Sequence, residues 1–82
     1  MDKNTMVSVL VVLFELARAN RPANVERIAR RLDLGVEETR AALRGLEVRG
    51  LADAVRCRLT LVGLALASSA AQGREIHLAA AA

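Results

Sequence analysis

A mainly helical fold with one small β-hairpin is what this 82-residue sequence predicts. Three observations carry that prediction. Apolar residues recur at helical spacing in four stretches, glycines stand at the ends of those stretches, and residues 51–60 alternate like a short strand pair. With 54% hydrophobic content, the chain makes one small domain. At this size a single core is marginal, and a partner chain often adds the missing burial. We expect the domain to span 1–73 and a short tail, disordered or a brief strand, to span 74–82.

Residues 5–19 form the first helix. At 100° per residue, its polar residues Ser8, Glu15 and Arg18 fall on one narrow stripe, and Met6, Val7, Val9, Leu10, Leu13, Phe14, Leu16 and Ala17 cover the rest. That apolar arc is wider than one core requires. A second copy of the chain is the simplest cover for the excess, and Val7, Leu10, Val11 and Phe14, with Leu64 and Leu66 later in the chain, are its expected contacts.

Pro22 disfavours helix at Arg21, and Asn24 can cap the next helix, Val25–Leu32. Its apolar positions Val25, Ile28, Ala29 and Leu32 follow the i, i+3, i+4, i+7 rule, which leaves Glu26, Arg27, Arg30 and Arg31 outside. Asp33-Leu34-Gly35 makes a tight turn in which Gly35 can supply a backbone conformation that other residues resist. The third helix, 36–49, turns Thr39, Ala42, Leu43 and Leu46 inward. Glu37 and Glu38 favour its positive N-terminal end, and Gly50 stops it.

In the hairpin, the alternation points Val55, Cys57 and Leu59 one way and Arg56 and Arg58 the other. No Gly or Asn stands at its turn, so a tight two-residue loop is not encoded. Thr60 can cap a fourth helix over 61–72. Leu61, Val62, Leu64, Ala65, Leu66 and Ala67 make it so apolar that it needs cover, inside the domain or between chains.

The order helix, helix, turn, helix, Gly50-Leu51, then Arg58-Leu59-Thr60-Leu61-Val62-Gly63 resembles the winged helix-turn-helix domains of bacterial and archaeal transcription regulators. The resemblance runs over about 6–72. It rests on a Gly-Leu that ends the third helix and an Arg-Leu-Thr-x-x-Gly that leads from the wing to the last helix. It implies a third helix lying in the major groove of duplex DNA, with the hairpin on the flanking backbone. The matching outward positions are Val36, Glu37, Glu38, Arg40, Ala41 and Arg44. Arg27, Arg30 and Arg31 are placed to hold phosphates from the second helix, and Arg56 and Arg58 to serve the wing.

Charge gives two sides to that expectation. Eleven of the twelve basic residues are Arg, which suits bidentate contacts to guanine and phosphate. Residues 24–49, however, hold six basic and five acidic residues, a net of +1, and the spacing allows Glu26 to pair with Arg30 and Glu37 with Arg40. A homodimeric transcriptional regulator is the first reading. A winged-helix module that binds protein and not DNA is the alternative.

Catalysis, metals and cofactors find no support. His77 lies in the tail without ligand companions, Cys57 has no neighbouring base, and Ser8, Ser68 and Ser69 sit on helices without a nucleophile turn. The one aromatic residue, Phe14, leaves no platform for stacking unpaired bases. Residues 6–14 with Ala17-Arg18-Ala19 imitate a secretory leader, but Asp2 offsets Lys3, and Glu15 and Arg18 interrupt the region before the cut. The run is also well short of the ~20 apolar residues of a membrane span. A cytoplasmic protein without a membrane partner is expected.

Overall fold

The computed structural model describes residues 3–73, so the 74–82 tail and His77 lie outside the described residues. The chain runs α1 (Lys3–Arg18), α2 (Val25–Leu32), α3 (Val36–Val48), β1 (Ala52–Asp53), β2 (Arg58–Leu59) and α4 (Leu61–Ala71). It is a mainly helical fold with one two-stranded antiparallel hairpin, compatible with a winged-helix layout.

Helix α1 is the spine on which the other elements pack. Its buried side chains Met6, Val9, Leu10, Val12, Leu13 and Leu16 wrap far around its circumference, as the broad apolar arc requires. Ile28 and Ala29 of α2, Ala42, Leu43 and Leu46 of α3, then Leu51, Ala52, Cys57 and Ala67 complete the core. Thr39 is the one buried polar residue among those described, and its hydroxyl donates to Gly35 O at 2.9 Å. That bond removes the penalty of burying an unpaired polar group.

The α2–α3 turn differs from the expectation at one residue. Asp33, with φ 55°, takes the left-handed conformation, and its N–H reaches back to the carbonyls of Ala29 and Arg30. Asp tolerates this region better than most residues. Gly35 is extended at φ −70° and serves as the N-cap residue of α3, so its conformational freedom is unused.

The hairpin also closes in its own way. Ala52 pairs with Leu59 and Asp53 with Arg58, leaving a four-residue loop. The Asp53 carboxylate accepts the N–H groups of Val55 and Arg56 at 3.0 and 3.1 Å, and Cys57 turns left-handed at φ 53°. A side-chain cap thus replaces the missing glycine. Val55 consequently stands at the tip, 90% exposed, instead of pointing inward with Cys57 as the alternation predicts.

One junction ties the hairpin to α4. Thr60 donates its hydroxyl to Gly50 O at 2.7 Å and its N–H to Leu51 O at 3.0 Å, and its oxygen accepts Gly63 N–H at 3.0 Å. Gly63 lies flat on this knot, because a Cβ there would overlap the Leu51 carbonyl oxygen. Gly50 itself turns left-handed at φ 73°. The Gly-Leu and Leu-Thr-x-x-Gly segments are therefore two halves of one contact.

Candidate nucleic-acid interface

The inward set of α3, Thr39, Ala42, Leu43 and Leu46, fixes its opposite face. Val36, Glu37, Glu38, Arg40, Ala41 and Arg44 are all exposed there. Arg40 is held by Glu37 at 2.9 Å, as the spacing predicts. Arg44, one turn later, makes no ion pair among the described residues. Together they border a recess of about 390 Å³ that reaches Val25, Glu47 and the hairpin residues Ala54 and Val55.

On α2, Arg30 and Arg31 are exposed and Arg27 is half-buried. No Glu26–Arg30 ion pair forms among the described residues. Arg31 instead reaches across to Glu15 of α1 at 3.0 Å, an exposed pair that contributes little stability but directs one cation away from α3.

The wing arginines stand apart from those of α3. Arg56 and Arg58 border a different, larger groove of about 750 Å³ between the end of α1, the α1–α2 loop, the hairpin and α4. Arg21 is the third cation on its rim, a residue missed by the sequence reading because it lies in a loop with no periodicity to mark it. Leu13, Leu59 and Leu64 form the floor. Arg56 makes only a loose 3.9 Å contact with Asp53. Cys57 also lines this groove, where burial first, then Glu26 and Asp53, push its thiol above the ordinary range. A protonated thiol is a poor nucleophile.

The expected dimer contacts divide. Leu10 is 0% exposed inside the chain's own core, because it lies on the side of α1 that meets the other helices, and it cannot contact a second copy. Val7, Val11, Phe14 and Leu66 are half-buried, and Leu64 is 40% exposed. More apolar surface lies where it was not assigned. Leu61 is 85% and Val62 58% exposed, since only Gly63 and Ala67 of α4 are fully turned inward.

Among the described residues, no three His, Cys, Asp or Glu side chains are grouped to hold a metal ion, and no helix is long and apolar enough to cross a membrane. No family model, curated protein or solved structure matches this chain.

Proposed function

We propose that this protein binds duplex DNA as a winged-helix regulator in the cytoplasm, with α3 in the major groove. The single observation that supports this most is the outward row of α3, on which Arg44 stands exposed and without an ion pair among the described residues, beside the hairpin tip. Arg44 is placed to meet a guanine edge or a phosphate, Arg27 and Arg30 to hold the flanking backbone, and Val36 and Ala41 are small enough to let the helix approach the base edges. Two copies joined along the half-buried Val7, Val11 and Phe14 strip of α1 would present two α3 helices to two half-sites.

Fluorescence anisotropy with a labelled duplex tests this. Affinity should fall steeply between about 50 and 200 mM salt, and Arg44→Ala should weaken binding about tenfold. No binding at low salt ends the reading. The second reading is a module that binds protein in place of DNA. Glu37 neutralises Arg40, and exposed leucine and valine sit on α4, both of which favour it. The same titration separates the two.

A further inference from the structure

The groove between α1, the hairpin and α4 combines two features that rarely coexist on a surface left to water. Its floor of Leu13, Leu59 and Leu64 is apolar, and its rim carries Arg21, Arg56 and Arg58 with no carboxylate among the lining residues. Arg21 and Arg58 make no ion pair among the described residues. Leu64 belongs to the floor and is 40% exposed, and Leu61 lies one turn before it on α4, so the apolar surface continues from the groove to Leu61.

These features discriminate among occupants. A two-fold dimer centred here would bring six arginines together with no lining carboxylate to receive them. A nucleic-acid strand would satisfy the arginines but bury its charges beside leucine, and no ring lines the groove for bases to stack on. A small inorganic anion would leave the floor wet. An amphipathic helix satisfies both, laying its apolar stripe along the floor while carboxylates on its flank meet the rim.

We infer that this groove docks an acidic amphipathic segment of another protein, its apolar residues on Leu59, Leu64 and Leu61 and its carboxylates on Arg21, Arg56 and Arg58. Arg21 and Arg58, which make no ion pair among the described residues, and the exposed leucines beside them carry this assignment, with Arg56 already shared at 3.9 Å with Asp53. It does not depend on what α3 binds.

The test uses the whole chain and a fluorescent designed peptide of about 16 residues, with leucine at i, i+4, i+7 and i+11 and glutamate on the flank. A second peptide carries lysine at every glutamate. The acidic peptide should bind saturably and the lysine peptide at least about tenfold more weakly. Arg21→Glu and Leu61→Ser should each weaken the acidic peptide by about fivefold or more, while Arg44→Ala leaves it unchanged. Arg21 and Leu61 are exposed, so both variants should keep the parent melting curve. Equal binding of the two peptides, or no saturable binding, overturns the inference. So does a loss of duplex binding in Arg21→Glu with peptide binding unchanged, which would assign the rim to phosphates. A Leu61→Ser change that converts a dimer to a monomer would assign the face to a second copy and overturn it as well.

Discussion

The outer faces of α3 and α4 are both uncovered helix, yet they are built in opposite ways. On α3, Glu37, Glu38, Arg40 and Arg44 solvate the surface, and the exposed apolar residues, Val36, Ala41 and Val48, are set among or beside charges. On α4, 61–71 contains no charged residue at all, and Leu61 and Val62 stand in solvent. A charged helix face is stable in water whether or not it meets a ligand. An exposed leucine and valine pair gains from being covered, at roughly 25 cal/mol for each Å² removed from water. What α4 offers a partner is therefore apolar area alone, whereas α3 offers charge, including Arg44, which makes no ion pair among the described residues.

The comparison breaks most sharply at Gly63. Gly63→Ala should destabilise the fold by about 3 kcal/mol, because the added methyl meets backbone and not a yielding side chain. Urea denaturation measures the loss, and α4 should detach before α3 in hydrogen exchange. Thr60→Ala removes the α4 cap and the bond to Gly50 O, and should cost about 1–2 kcal/mol by the same denaturation.

Cys57 reports on the groove beside α4. Its thiol is held above the ordinary range, so alkylation at mildly alkaline pH should be slower in the native protein than in urea. The sign for stability follows. Folding favours the protonated thiol, so this contribution is complete below the ordinary thiol range and is lost as pH rises through the raised one. Equal alkylation rates in the two states would show that the groove wall is open at Cys57.

On α3 the effects are smaller. Glu37→Gln frees Arg40 and removes a charge that repels phosphate, so duplex affinity should rise roughly threefold in the anisotropy titration. Gly35→Ser supplies the missing side-chain cap of α3 in open space, and should stabilise by about 0.3 kcal/mol in thermal melts.

The helices were legible because their signals are local. The inward sets of α2 and α3 follow from apolar spacing alone, and Asn24 and Thr60 accept the N–H groups of Arg27 and Gly63 as capping chemistry predicts. What was not legible depends on the approach of distant segments. The αL role at the α2–α3 turn fell to Asp33 because the glycine two residues later was already extended as a cap. Arg31 chose Glu15 over its helix neighbours because α1 passes close by. Leu10 looked as available as Val11 in sequence, and only the packing of α1 against the rest separates them. The Arg21, Arg56 and Arg58 cluster joins residues some 35 positions apart in sequence, and no periodicity connects a loop to a hairpin.

The knot at Thr60 has a mechanical consequence. The carbonyls of Gly50 and Leu51, at the tail of α3, are clamped by the residue that begins α4, and Gly63 lies against the same carbonyl. With strands of only two residues each, the hairpin has little body in which to absorb a twist. Thr60 and Gly63 thus fix where α4 starts relative to the Gly50-Leu51 step that follows α3, so the direction in which α4 leaves the hairpin is set at a glycine.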